Sequence, residues 1–164
     1  MEDYEVMFES EKIYYIKVNE KLVDDYLIMI NDPEVQKFIS KKYKLYTKEG
    51  ELEWIKEKLE NNDIIFSMID KETKKFIGNI EIMDIKDGNG ELGISITSSM
   101  QDKHYGQEAL KTIIDYVFNT LKLEDLGLNV YDFNERAIHC YEKVGFVKAG
   151  VGKEPEDIHM IYKR

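Results

Sequence analysis

Residues 91–109 read ELGISITSSMQDKHYGQEA, an alternating stretch followed by a polar loop and the start of a helix. Three apolar side chains alternate along the first part, at Leu92, Ile94 and Ile96, which predicts a strand with one face on a core. The other face is small and polar with one carboxylate, a combination that suits a bound ligand better than a packed neighbour. Its members are Glu91, Gly93, Ser95 and Thr97.

The loop after this strand, residues 98–106, leads directly into the amino end of a helix. Helix amino ends carry unpaired N–H groups and the positive end of the helix dipole, so they favour anions such as pyrophosphate. Lys103 adds a positive charge to the loop. Every strand–loop–helix unit has such an end, so this geometry alone is a weak indication of function.

Strand and helix patterns alternate along the remainder of the chain. Asp-Gly and Asn-Gly within residues 86–90 predict a tight hairpin. Residues 106–122 carry a wide apolar stripe, which predicts the longest helix, packed against a sheet. The order β-α-α-α-β-β-β-α-β-α-β-β predicts an α/β domain with a mixed sheet. Residues 1–11 are expected to form either an extra strand or a tail.

Composition places the chain among acidic globular proteins of one domain. It has 164 residues, a net charge of −10 and 43% hydrophobic residues, enough for one packed core. Nucleic-acid binding depends on neutralising phosphates, so the negative balance disfavours it, whereas cationic amines are attracted. The lone Cys140 excludes an internal disulfide framework and a cysteine metal cluster. No membrane span or secretion signal is visible, so a cytoplasmic location is expected.

A second informative segment, residues 134–146, reads NERAIHCYEKVGF. Asn134 is a suitable N-cap and Gly145 a suitable C-cap, which predicts a helix between them. Tyr141 lies seven residues after Asn134, two turns along and on roughly the same face. A tyrosine at this spacing is by itself more often a core residue than a catalytic one.

Together the two segments resemble the GNAT superfamily of acyl-CoA-dependent N-acetyltransferases. Residues 101–106 resemble its loop pattern Gln/Arg-x-x-Gly-x-Gly/Ala, and residues 134–146 match Asn-x-x-Ala-x-x-x-Tyr-x-Lys-x-Gly-Phe in full. The resemblance extends from about Lys12 and is strongest to ribosomal-protein N-terminal acetyltransferases, with spermidine acetyltransferases as relatives. Asp102 and His104 depart from it, because this branch usually has glycine at both positions.

The resemblance implies a single N-acyltransferase domain, residues 1–164. Its sheet would be mixed, mostly antiparallel and twisted, with six to seven strands and about four helices. It implies acetyl-CoA as co-substrate and no metal. The backbone of Ile96 and Thr97 would hold the pantetheine arm, Asn134 would touch it and Ala137 would leave room for it. The residues expected at the pyrophosphate are Gln101, Asp102, Lys103, His104, Tyr105, Gly106 and Gln107.

The resemblance also implies catalytic roles. Tyr141 would protonate the departing CoA thiolate, because a phenol keeps its proton at neutral pH. Glu91, on the ligand-facing side of the central strand, is the candidate base for the amine, although a solvent-facing carboxylate at a hairpin end is an equal interpretation. Glu81 on the neighbouring strand is the second candidate, and His139 and His159 remain further ones.

The expected reaction is therefore direct attack of a primary amine on acetyl-CoA. A protein N-terminus follows from the nearest branch as acceptor, and a polyamine or another small cationic amine follows from the acidic charge. An acyl-CoA-binding module without turnover and an inactive scaffold of the same fold are the alternatives. Relatives are often dimers, and the composition neither requires nor excludes a homodimer.

Overall fold

The structure is a computed structural model that describes Met1 and residues 3–163. Eight strands form one sheet in the order β1-β2-β3-β4-β5-β6-β8-β7. The strands are β1 Val6–Glu9, β2 Ile13–Lys17, β3 Ile64–Asp70, β4 Phe76–Lys86, β5 Asn89–Ile96, β6 Asp125–Tyr131, β7 Val147–Val151 and β8 Asp157–Lys163. The helices are α1 Val23–Asn31, α2 Pro33–Gln36, α3 Lys48–Glu60, α4 Tyr105–Asp115 and α5 Glu135–Val144.

The predicted α/β class and mixed sheet are confirmed. The sheet has eight strands rather than six or seven, because residues 6–9 form β1, which pairs antiparallel with β2. The predicted hairpin turns at Asp87 and Gly88, whose φ angles of 53° and 82° are the positive values that a tight hairpin requires. Only β5 and β6 are parallel among the pairs whose register is defined, since α4 crosses between them.

Contacts divide the chain into two compact units. The first contains Met1–Glu81 and Ile94–Tyr105, and the second contains Ile82–Gly93 and the chain from Gly106 onward. The prediction of a single domain therefore stays a prediction. The first unit has a buried apolar cluster formed by Ile16, Val18, Leu22, Val23, Tyr26, Met29, Val35, Ile55, Ile65, Ile69 and Phe76.

A buried chain of hydrogen bonds attaches α1 to the strands of the first unit. Ser67 Oγ donates to Asn79 Oδ1 at 2.7 Å, so the Tyr26 hydroxyl, 2.6 Å from Ser67 Oγ, is the donor to that oxygen. The Asn19 N–H donates to the Tyr26 hydroxyl at 3.2 Å. Burial raises the pKa of Tyr26 to about 12, against an ordinary value of 10.0.

This shift predicts a loss of stability in alkaline solution. Below pH 10 Tyr26 is neutral in both states; between pH 10 and 12 the unfolded chain ionises first, so stability falls as pH rises. The loss assigned to Tyr26 is about 1 kcal/mol at pH 11. Urea unfolding at pH 8 and pH 11 measures it, with Tyr26→Phe as the control that lacks the ionisation. An equal loss in the two proteins would show that Tyr26 does not carry the effect.

The second unit is built on α4, β6 and β8. Residues 125–131 alternate strictly, with Leu126, Leu128 and Val130 buried and the odd-numbered residues on the opposite face. The predicted helix 106–122 begins at Tyr105 and changes at residue 116 into a five-residue π-helix, Tyr116–Thr120. Its apolar stripe is buried as predicted, at Ala109, Leu110, Ile113, Ile114, Val117 and Phe118.

One expectation about the faces of β5 is wrong, because Ile94 and Ile96 are only partly buried rather than core residues. The strand ends at Ile96, and Thr97, which is 8% exposed, donates its N–H to the Ile77 carbonyl. Leu92 is buried as predicted.

Candidate active site

The loop between β5 and α4 contains two residues in the left-handed backbone region. Asp102 has a φ of 61° and His104 a φ of 67°. A side chain in this region clashes with its own backbone, so glycine is the residue that adopts it without cost. In the branch that the sequence resembles, both positions are usually glycine, the residue that this backbone conformation favours.

Side-chain hydrogen bonds fix both ends of this loop within the first unit. Gln101 Nε2 donates to the Ile96 carbonyl at 2.9 Å, and the Tyr105 hydroxyl donates to Asp70 Oδ1 at 2.6 Å. Asp70 is buried, which opposes its ionisation, but the bonds from Tyr105 and Thr73 prevail and hold its pKa below the ordinary value. The Tyr105 and Gln101 side chains are therefore used to shape the loop.

A cavity of about 440 Å³ lies in the first unit beside the end of β5. Of the residues predicted to hold the pantetheine arm, Thr97 lines it. The other lining residues combine two lysines, a hydroxyl and an acid with apolar walls: Asp25, Ile28, Lys74, Lys75, Phe76, Ser99 and Met100.

The left-handed backbone at His104 is expected to lower the stability of the folded protein. The residue is exposed, so His104→Gly removes the left-handed strain with little loss of packing and raises the free energy of unfolding by about 0.5–1 kcal/mol. His104→Ala, which lacks the imidazole but keeps Cβ, is the matched control and brings no such gain. Thermal unfolding of the three proteins measures the difference. Equal effects of glycine and alanine would contradict the backbone explanation.

In the second unit, α5 has the predicted caps. Asn134 Oδ1 accepts from the Ala137 N–H at 3.3 Å, and Gly145 ends the helix with a φ of 118°. A Cβ on Gly145 would lie 2.7 Å from the Tyr162 ring, so this glycine is required for packing as well as for the turn. The cap bond uses the oxygen of the Asn134 side chain rather than its NH₂ group.

Tyr141 lies on the last turns of α5 and has an unusual hydroxyl. Its ring packs edge-on against Phe146, with centroids 5.9 Å apart. Burial raises the pKa of the Tyr141 phenol above its ordinary value, and neighbouring Cys140 adds to the rise. Within residues 3–163, no side chain or backbone group hydrogen-bonds this hydroxyl. Tyr141 therefore keeps its proton and has it available for a bound molecule.

Glu91 is not a solvent-facing carboxylate at a hairpin end. Its Oε1 accepts a hydrogen bond from Asn129 Nδ2, and its Oε2 lies 3.2 Å from Lys153 Nζ. Lys153 also lies 3.8 Å from Asp84, and its pKa is raised, first by the hydrogen bond to Glu91 and then by the charge of that residue. His159 Nδ1 completes the group, 3.1 Å from Asn129 Oδ1.

The other predicted residues have different surroundings. Glu81 belongs to the first unit, where burial raises its pKa and Lys58, 3.8 Å away, partly opposes that rise. His139 is exposed on α5. Gly106 and Gln107 follow Tyr105 at the start of α4 and belong to the second unit, whereas residues 101–105 belong to the first.

Sequence reasoning missed Asn129 and Lys153. Side chains alternate along a strand, so the sequence of β6 could have placed Asn129 on its polar face. Lys153 lies outside any strand or helix, and no pattern in the sequence indicated it. Among residues 3–163 no cluster of His, Cys, Asp or Glu could hold a metal ion, and no helix is long and apolar enough to cross a membrane.

The fold and these residues agree with a match to a known family. Residues 14–147 match the Acetyltransferase (GNAT) domain, and the chain belongs to this family. This establishes the class of protein that the sheet, the β5–α4 loop and α5 define.

Curated relatives match over part of their length. An uncharacterized prophage-derived N-acetyltransferase of Bacillus subtilis is 28% identical over 100 residues, 60% of this chain and 56% of that protein. Spermidine N(1)-acetyltransferase of Vibrio cholerae is 31% identical over 85 residues, 51% of this chain and 49% of that protein. The matching segments thus span about half of these relatives.

Solved structures show the same fold over nearly the whole chain. Spermidine N-acetyltransferase from Vibrio cholerae, in complex with CoA and spermine, gives a TM-score of 0.84 at 21% identity, covering 94% of this chain and 96% of the other. Ribosomal-protein-S5-alanine acetyltransferase from Vibrio fischeri gives 0.79 at 22% identity, covering 97% of both. The predicted GNAT fold is confirmed.

Proposed function

We propose that the chain transfers an acetyl group from acetyl-CoA to a primary amine, with a polyamine as the first acceptor class to test. Family membership supports the reaction type, and the Tyr141 hydroxyl is the observation that carries it. A phenol that holds its proton and has no protein partner is suited to donate to a leaving group.

The β5–α4 loop supports the part of the proposal that concerns CoA. Asp102 and His104 have left-handed backbone, the conformation that glycine adopts most easily, and the resembling branch usually has glycine at both positions. Backbone N–H groups at the amino end of α4 and the Lys103 charge favour a pyrophosphate. Asn134, whose oxygen makes the cap bond, and the small Ala137 are the residues we assign to the pantetheine arm.

Glu91 and Tyr141 have different roles in the proposed reaction. Bound acetyl-CoA supplies the thioester carbonyl that the amine attacks. Glu91 accepts the proton that the amine must lose, since a carboxylate held by Asn129 is oriented for one direction of approach. Tyr141 donates a hydrogen bond, and finally a proton, to the departing sulfur. Because burial makes this phenol a weaker acid, its main contribution comes as negative charge develops on the sulfur.

Charge and relatives support a polyamine acceptor. The chain has a net charge of −10, which attracts cations, and relatives that match it include spermidine acetyltransferases. The acceptor named for the Vibrio fischeri structure is a ribosomal protein, so a peptide with a free N-terminus is the second acceptor to test.

The test is release of CoA thiol from acetyl-CoA in the presence of spermidine, spermine, a monoamine and an N-terminal peptide. We expect turnover with the polyamines above the monoamine, and a fall of about a hundredfold in kcat for Tyr141→Phe, with acetyl-CoA affinity unchanged. The phenylalanine keeps the ring packing, so it removes the hydroxyl alone.

Binding of acetyl-CoA without thiol release in any of these reactions would favour the binding-module alternative. Faster turnover with the peptide than with spermidine would move the acceptor class to protein N-termini. Undiminished turnover in Tyr141→Phe would remove this residue as the acid.

A further inference from the structure

Three neighbouring strands of the second unit bring polar residues together by register. Glu91 on β5 pairs with Gly127 on β6, and Asn129 on β6 pairs with His159 on β8. Gly127 and Asn129 are two residues apart, so Asn129 is the diagonal neighbour of Glu91 on the same face. A Cβ on Gly127 would lie 3.0 Å from His159 Cε1, so the glycine makes room for the imidazole against β6.

The donors and acceptors of these side chains fix one arrangement. Glu91 is a carboxylate and only accepts, so the Asn129 NH₂ group must face it. Asn129 Oδ1 therefore faces His159 and only accepts, so His159 Nδ1 must carry a hydrogen. Hydrogen bonds are therefore donated in one direction, from His159 to Asn129 and from Asn129 to Glu91.

We propose that Asn129 and His159 are positioning residues for acetyl transfer, in which His159 fixes the Asn129 amide and the amide holds Glu91 in the orientation that accepts the amine proton. The inference rests on the proposed function. An amide does not relay a proton, so His159 acts through orientation and polarity. Without its N–H the amide can turn over and present an oxygen to the carboxylate, which repels it.

The packing around Asn129 supports a fixed orientation of its amide. A Cβ on Gly152 would lie 2.8 Å from Asn129 Oδ1 and 2.4 Å from Asp157 Cβ, so the segment before Lys153 closes over the amide. The titratable groups near Glu91 include Lys153 on its Oε2, Asp84 beyond that lysine, and His159 beyond the amide. Lys153 is 67% exposed, so its bond to Oε2 is replaceable by an incoming ammonium, whereas Asn129 stays on Oε1.

The test compares single and double variants in the thiol-release assay with spermidine. We expect Asn129→Leu and His159→Leu each to lower kcat about tenfold or more, with acetyl-CoA affinity unchanged. We expect His159→Asn to recover most of the His159→Leu loss, because the asparagine amide nitrogen takes the place of Nδ1 and donates a hydrogen bond. In a Glu91→Gln background neither leucine variant should lower kcat by more than about twofold. Asn119→Leu, an exposed asparagine in the π-helix, is the matched control.

A second readout does not depend on activity. Nitrogen NMR of the wild-type protein should show the hydrogen of neutral His159 on Nδ1, and this preference should be lost in Asn129→Leu. If Asn129→Leu folds poorly, the comparison of His159→Leu with His159→Asn still tests the hydrogen bond, because both variants leave the Asn129 amide in place.

Three results would overturn the inference. Losses that multiply in the Glu91→Gln background would show that Asn129 and His159 act independently of Glu91. Equal activity of His159→Leu and His159→Asn would show that the donated hydrogen bond is irrelevant. A wild-type His159 with its hydrogen on Nε2 would contradict the direction of the bonds. A wild-type protein with the expected tautomer but no turnover would instead overturn the proposed function, and the catalytic role with it.

Discussion

The parallel pairing of β5 with β6 is the constraint on which the site depends. It covers three register positions, from Asn89 with Asp125 to Glu91 with Gly127, although both strands continue beyond them. Parallel neighbours need a crossover, and α4 provides it, so the chain must turn from the end of β5 into a helix. Glu91 stands at the last paired position, where its side chain is beside the polar face of β6.

The loop that makes this turn contains the two residues with left-handed backbone. The chain leaves β5 at Ile96 and begins α4 at Tyr105, and in between Asp102 and His104 adopt left-handed backbone. Asparagine, aspartate and histidine enter this region more readily than other residues with side chains. The loop thus places in left-handed backbone two residue types that tolerate it, and hydrogen bonds from Gln101 and Tyr105 hold its ends.

Local patterns predicted the elements well because each has a local cause. Thr47 and Asn134 cap their helices with their own side chains, and Asp87-Gly88 turns the hairpin as its positive φ angles require. The burial of β5 was less predictable, because alternation assumes a regular strand, and this one ends at Ile96.

The polar group around Glu91 shows a different limit. Glu91, Asn129 and His159 lie on three strands that are distant in sequence, so their approach depends on register, which no local pattern specifies. His159, a candidate base by residue type alone, is hydrogen-bonded to Asn129, whose amide donates to Glu91. Candidates in α5 and in the loop could be proposed from the motif resemblance, because each motif lies within a single segment.

Isothermal titration of the purified protein with acetyl-CoA is the decisive measurement, because every proposed step requires bound acetyl-CoA. We expect one site with micromolar affinity, about −8 kcal/mol. The absence of binding to acetyl-CoA and to CoA would contradict it, and would leave the fold as a scaffold without the family's co-substrate.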